Sequence, residues 1–597
     1  MKQANTIDIK EKANAKVVTR LMFRLLPIQV LLMAVGAVNG IVSSFFATNY
    51  VGIDAMSAVG LYNPITLLLS AISVTFSGGS AILCGKYMGQ NQQEKVHNIF
   101  SLNLMISAVV SIVLVVAFVV MGLFDLTGFL TNDPAVRPIF NRYLIGQAIG
   151  VFPLILGNQL PSYLIMENKT RLSTIASLVY IACNIAFNGL FVQVMHLEAF
   201  GLALASSLGL WVFLAVEASY FLRGKSHMKF RLRGLDWRET RPILRIGFPG
   251  AASTVYQTVR GLIVNWLLAL FIGSVALSAF ATANNLMSIF WAFQAGSLAV
   301  SRLLISVSIG EEDRQTLTDI FRVMFRRFIP IQLVLSALLI LCAVPLTRIF
   351  YQDPTQPVFM MTVWGIRILP LCMAPAIVFT HFICYGQAIG RQGFVHIVSI
   401  LDGVVFVAGF TALLIPFVGM NSVYIANVLN GLFCAAAVVI YSWFRRKRFP
   451  RNMEELMVIP DDFGVSEEER MDLSVRSIDE VVDIAERVQD FCTDRGIDER
   501  RAYLAGLSME EMAGNVVEHG FHKDNKNHSV DVRVVHKGDD VILRIRDDCV
   551  PFDPRERQAL AAGDDITKNI GIRMVFQTAS DVQYQNILGL NVLTIRI

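Results

Sequence analysis

The chain has 597 residues, 54% of them hydrophobic and only 16% charged, with a formal net charge of +4. So few charges on so long a chain exclude one large soluble domain, and the small net charge gives no reason to expect a nucleic-acid partner. Nearly all the long apolar runs fall in residues 21–444, whereas 445–597 are charged and mixed, so a membrane domain precedes a soluble one.

Residues 1–20 form a polar tail without the apolar core and small-residue cleavage site of a secretory signal. A membrane span needs about 20 apolar residues. Twelve are predicted, near 22–47, 57–83, 100–124, 138–162, 171–193, 199–222, 250–272, 278–303, 327–348, 361–384, 396–417 and 422–444. They divide into a bundle over 21–222, a basic connector over 223–246 and a second bundle over 247–444. The halves repeat in register. Gly52 pairs with Gly273, Ala55 with Ala276, Ser80 with Ser301, Gly89 with Gly310 and Phe100 with Phe321, each 221 residues apart. Two related halves are common in secondary transporters.

Positive residues collect in alternate loops: Lys86 and Lys95, Lys169 and Arg171, the connector from Arg223 to Arg245, Arg322 to Arg327, and Arg445 to Arg448. By the positive-inside rule both termini are cytoplasmic, and the basic runs set topology and contact lipid. None of the eight cysteines forms a close CxxC pair, so neither a zinc site nor a redox pair is indicated. Gly224-Lys225-Ser226 lacks the preceding glycine and strand of a phosphate-binding loop.

Polar groups within spans are costly and usually face a bundle interior or a cavity. The ionisable candidates are Glu217, Arg260, Arg367, His381 and Asp402. Asn184 and Asn188 share one helix face, as do Gln257 and Arg260. Taken singly, amides more often hold helices together than bind a solute. As a set, Asn184, Asn188, Gln257, Arg260 and Asp402 are the candidate lining of a transport cavity.

The stretch 445–470 reads as a polar, acidic linker. Beyond it, 471–597 predicts an α/β sandwich: a strand at Leu473–Arg476, an amphipathic helix from Ile478, a helix from Glu499 to His519, strands at Ser529–Val535 and Val541–Arg546, a helix near Gly571, and two last strands. Glu511, Asn515 and His519 lie on one helix face. A carboxylate beside an amide oxygen suits Mg2+ and a triphosphate, Asp547 can accept from an adenine amine, and Gly571 opens a helix whose free N–H groups favour phosphate.

Pro27, the run Val51-Gly52-Ile53-Asp54-Ala55-Met56-Ser57-Ala58-Val59-Gly60, then Gly79, Gly85 and Gly89, matched by Pro249, Gly273, Ala276 to Ala279 and Gly310, resemble the multidrug and toxic compound extrusion (MATE) family over about residues 15–445. The resemblance implies an all-α domain of two six-helix bundles rocking about a central cavity, with an inward H+ or Na+ gradient expelling organic cations. It also implies a multi-pass protein of a bacterial-type plasma membrane. The acidic residue many members carry in the first helix falls at Ser44, and the seventh-helix glutamate of some members at Gln257. Glu511-xxx-Asn515-xxx-His519, Asp547 to Pro554 including Phe552, and Lys568-Asn569-Ile570-Gly571-Ile572 resemble the three boxes of the GHKL ATPase superfamily, and anti-sigma-factor serine kinases within it. That implies Mg-ATP as ligand, with Asn515 on the metal, Glu511 as general base and Asp547 on adenine. Phe552, Asn569 and Gly571 then lie around the nucleotide, and the partner is a STAS-type antagonist or a sigma factor. A membrane ligand sensor with kinase output is the alternative to a transporter.

Overall fold

A computed structural model describes residues 18–597 except 35–41, 43–45, 47–49, 52, 130–135, 225, 232–233, 352, 467, 522–527, 529, 552, 555–569 and 588; side chains are also undescribed at 53–60, 63, 274, 285, 289 and 587. Ser44, Phe552 and Asn569 therefore lie outside the described residues. Bundle 1 comprises α1 (residues 18–34), α2 (Ile53–Gly89), α3 (Gln93–Leu123), α4 (Val136–Met166), α5 (Thr170–Val194) and α6 (Glu198–Leu222). Bundle 2 comprises α7 (Thr240–Phe271), α8 (Ser274–Gly310), α9 (Arg314–Leu341), α10 (Pro357–Ala388), α11 (Gln392–Val418) and α12 (Asn421–Arg446). Among the described residues ten helices are long and apolar enough to cross a membrane. Of the twelve predicted spans, α1 is described only in part, and Gln257, Arg260 and Asn265 interrupt the apolar run of α7.

The repeat read from the glycines is exact in the second helix of each bundle. α2 and α8 are each 37 residues long, and the helices after them begin at Gln93 and Arg314. Their ends meet: a Cβ at Gly89 would strike the Val307 carbonyl, and one at Gly310 the Lys86 carbonyl. Only hydrogen at both positions lets the two backbones cross this closely. The two bundles are thus in contact on the face that carries the soluble tail.

The tail begins with a short α13 (Met453–Met457). It continues through β1 (Arg470–Val475), α14 (Ile478–Thr493), α15 (Glu499–Asn515, prolonged by a wide turn Val516–Gly520), β2 (Val530–Lys537) and β3 (Asp540–Asp547). α16 (Ile570–Thr578), β4 (Asp581–Ile587) and β5 (Leu590–Arg596) complete it. The predicted strands and helices are present with small shifts of boundary. The sheet is antiparallel throughout, in the order β1-β2-β3-β5-β4. Alternation assigns its faces. Val530, Val532, Val534, Leu543 and Ile545 are buried with Val481 and Val488 of α14 and Met509 and Met512 of α15.

The opposite face carries Asp531, Arg533, Arg544 and Arg546, a pattern normally left to solvent. Here Asp531 and Arg533 are buried, because this face packs on the turn between α8 and α9. The 445–470 stretch, expected as a linker, is packed too. Arg314 donates to the Pro460 carbonyl at 2.7 Å and to Glu454 at 3.1 Å, and Arg391 donates to the Met457 carbonyl at 2.8 Å.

Candidate functional site

In bundle 2 three of the five predicted cavity residues converge. Gln257 and Arg260 of α7 and Asp402 of α11 line a cavity of about 310 Å³ with Asn284, Trp291 and Asn430. Asp402 sits in a wide helical turn over Leu401–Val405, a distortion often found at functional sites. Its neighbour Gly403 lets α11 close on Tyr256. Asn430 donates to the Asp402 carboxylate at 2.8 Å, while the Arg260 guanidinium reaches the Asp402 backbone carbonyl at 3.4 Å. Charge, countercharge and amides thus share one polar space with an aromatic wall, a combination suited to an amphipathic organic solute.

The other two predicted residues are elsewhere. Asn184 and Asn188 are fully buried in α5, and Asn188 donates to the Asn184 side chain and backbone carbonyl. Asn188 thus bonds within its own helix, and neither residue lines the bundle 2 cavity. His381 is likewise a satisfied core residue, held by Ser301 at 2.9 Å and the Ile377 carbonyl at 2.7 Å. Glu217 is buried in α6, and Arg367 stacks over Trp364.

In the tail a second cavity, of about 380 Å³, lies between α15, the start of α16 and strands β3, β4 and β5. Asn515, His519 and Asp547 line it together with Cys549, Tyr584 and Asn591. Asn515 turns its Nδ2 to the Glu511 carbonyl at 2.6 Å, which presents Oδ1 as the hard oxygen ligand that Mg2+ takes. Gly571 packs directly on Glu511, where any Cβ would collide with the carboxylate. Burial raises the Asp547 carboxyl above its ordinary value, against hydrogen bonds from Asn591 and the Cys549 N–H.

Sequence reasoning passed over the part Asn591 plays. It donates to Asp547 at 2.7 Å and to the Cys549 carbonyl at 3.1 Å, and accepts from Tyr584 at 2.8 Å. Asp547 and Asn591 are direct cross-strand partners, a relation visible only once the register of β3 and β5 is known. The residues therefore fit Mg-ATP: an acceptor for adenine fixed by a neighbouring strand, an amide oxygen for the metal, and a glycine-started helix facing it.

Two family patterns match, and the first matches twice. The pattern described as MatE covers residues 29–190 and again 249–411, more than half of the chain. The chain belongs to the MatE family. Residues 476–597 match the histidine kinase-like ATPase domain, a domain that binds ATP. Among curated relatives, a probable multidrug resistance protein NorM of Streptococcus pneumoniae is 25% identical over 265 residues, covering 42% of this chain and 56% of that one. The multidrug export protein MepA of Staphylococcus haemolyticus is 22% identical over 253 residues, covering 42% and 55%. The chain thus spans about half the length of the curated relatives it matches.

Solved structures share the fold of this MatE protein. An outward-facing multidrug resistance MATE family transporter superposes with a TM-score of 0.67 at 17% identity, covering 74% of this chain and 96% of that one. A MOP superfamily transporter from Pyrococcus furiosus gives 0.66 at 17%, covering 74% and 96%. The ATPase-like domain, residues 476–597, lies outside the two MatE matches.

Proposed function

We propose that this MatE protein exports an amphipathic organic solute, an organic cation among the candidates, by alternating access across a plasma membrane. Both termini are cytoplasmic in this reading. An inward H+ or Na+ gradient drives export through Asp402, and the tail binds Mg-ATP. The observation that carries the reading is the convergence of Arg260, Asp402 and Asn430 on one cavity with Trp291. The names of the relatives, multidrug resistance and multidrug export proteins, support a drug-like solute. A buried carboxylate in a span that is hydrogen-bonded yet faces a polar cavity can exchange a proton or a cation with it. Proteoliposomes supply the test. An organic cation dye should move under an imposed H+ or Na+ gradient, and Asp402→Asn should weaken the flux. Absence of flux under both gradients would leave the alternative, a ligand sensor whose output is the tail.

The ATP site follows from the second cavity. Asn515 would hold the metal and Asp547, fixed by Asn591, the adenine; bound nucleotide supplies a transferable phosphoryl group. Glu511 stands beside Asn515 on the same helix, where a carboxylate can take a proton from a hydroxyl. A partner serine on a STAS-type antagonist is the substrate class that the resemblance implies. Calorimetry on the full chain should show Mg-ATP binding that Asn515→Ala abolishes; equal affinity in variant and parent removes the metal role.

A further inference from the structure

The ATPase-like domain rests on both bundles at once, and it does so through its sheet, three strands of which line the nucleotide cavity. On bundle 2 it grips the acidic turn Glu311-Glu312-Asp313. Arg546 of β3 pairs with Glu311 and with Asp313 at 3.1 Å, Arg533 of β2 with Asp313, and Lys537 with Glu312. Arg546 also donates to Thr316 at 3.2 Å, and Arg470 of β1 to Gln315 at 3.1 Å. Asp313 and Glu311 are almost wholly buried here, with side-chain exposures of 0% and 3%. Burial pushes the Asp313 carboxyl up, but Arg533 and Arg546 outweigh it and hold the group below the usual carboxylate range.

The hold on bundle 1 is lighter. Gln93 at the start of α3 donates to Gln585 of β4 at 3.2 Å. Gly589 in the β4–β5 turn lies against Asn168 of the α4–α5 loop, too close for a Cβ. Arg20 of α1 pairs with Asp548 at 3.2 Å, with half of the arginine side chain exposed. Exposed contacts of this kind contribute little each.

This lighter side is the side of the nucleotide cavity. Asp548 follows Asp547, Gln585 follows Tyr584, and Asn591 lies two residues beyond Gly589. α16, whose Gly571 touches Glu511, runs into β4 through two residues only. A phosphate held by Asn515 near the start of α16 would press on the Gly571–Glu511 contact, and α16, joined to β4 by two residues, would pass that displacement to the β4–β5 hairpin.

We propose that the domain is a nucleotide-controlled clamp on the cytoplasmic ends of the two bundles. Without nucleotide it holds the bundles together where Gly89 and Gly310 cross; Mg-ATP loosens the hold on bundle 1 and allows the cytoplasmic side to open. Bundle 2 keeps its grip on the domain throughout, because its ion pairs are buried and multiple. The clamp rests on the reading that the tail binds Mg-ATP and that the bundles part on that face.

The test uses full-length protein in lipid nanodiscs, with Cys183→Ser and Cys342→Ser, and spin labels at Gln90→Cys of bundle 1 and Arg327→Cys of bundle 2. Pulsed dipolar spectroscopy should show one short distance without nucleotide and a second, longer population with Mg-ATP. Arg20→Ala combined with Gln93→Ala, which leaves every cavity residue in place, should show the longer population without nucleotide. Calorimetry on the same samples separates the two levels. Binding of Mg-ATP with no change of distance overturns the clamp and leaves the ATP site standing, whereas no binding overturns both. A shift toward shorter distance with Mg-ATP also overturns the proposal.

Discussion

The two bundles share a register, with α2 and α8 of equal length, yet they treat the polar residues singled out from the sequence differently. Bundle 1 closes its amides on one another, Asn188 on Asn184 within a single helix. Bundle 2 brings Arg260, Asp402 and Asn430 from three helices around an open space. Duplication fixes where backbones cross, since the crossing needs glycine at equivalent positions. It does not fix which side chains face a cavity, because one substitution on a helix face changes that without disturbing the packing. Polar residues in spans therefore have to be judged by the company they keep across helices.

The sharpest way to break this contrast is to delete the charges of bundle 2 and the amides of bundle 1 in parallel. Arg260→Ala or Asp402→Asn should lower solute flux at least about tenfold, the equivalent of ~1.4 kcal/mol at the rate-limiting barrier. Asn184→Ala with Asn188→Ala should leave flux near the parent value and lower the thermal midpoint instead, since a buried hydrogen-bonded pair is lost. Equal loss of flux in both sets, measured in the same proteoliposomes, would end the distinction between a cavity and a packing element.

The tail gives the same lesson at smaller scale. Asn591→Ala should weaken Mg-ATP binding about tenfold in calorimetry, because Asp547 loses the donor that orients it, a hydrogen bond to a charged group contributing ~1.5–3 kcal/mol. Unchanged affinity would show that Asp547 is held without its neighbour. Removing half of a buried ion pair has a different readout. Asp313→Ala leaves Arg533 and Arg546 without a shared partner, and it should destabilise the docked chain by ~3 kcal/mol or more in denaturant unfolding.

Much of this architecture was legible in the sequence. Apolar length gave the helices, the 221-residue register gave the two bundles, and period-two alternation gave the strands β2 and β3. Of the residues lining the second cavity, Asn515 and His519 were named from one helix face and Asp547 from the end of a strand. What escaped were relations across elements. Asn591 meets Asp547 only through strand register, and Asn430 meets Asp402 only through the packing of α12 on α11. The acidic turn Glu311-Glu312-Asp313 was passed over, because acids weigh little in the charge rule that sets topology. Such a run needs a cationic partner, and the odd-numbered face of β2 supplies one. The strands were read for their apolar face, so the charged face was left to solvent.

That charged face also makes the docking depend on pH. Asp531 lies on it two residues before Arg533, and burial pushes its carboxyl from the usual 3.8 up to about 7, against the opposing influence of Arg546 and Ser474. A folded state that holds its proton more tightly than the unfolded chain gains from that group below about pH 4 and loses the gain as pH rises through 7. Asp313 works in the other direction. Its folded value is depressed, so its contribution is present above the ordinary carboxylate range and is lost only as the medium becomes strongly acidic. Between pH 4 and 8 Asp531 should therefore contribute a slope, with stability of the docked chain falling toward pH 8. Asp531→Asn keeps the size and removes the titration, so its thermal midpoint should vary less over that interval than the parent's. Parallel curves for the two proteins would show that the charged face of the sheet reaches solvent after all, and with it the contrast between a covered and a free sheet face would go.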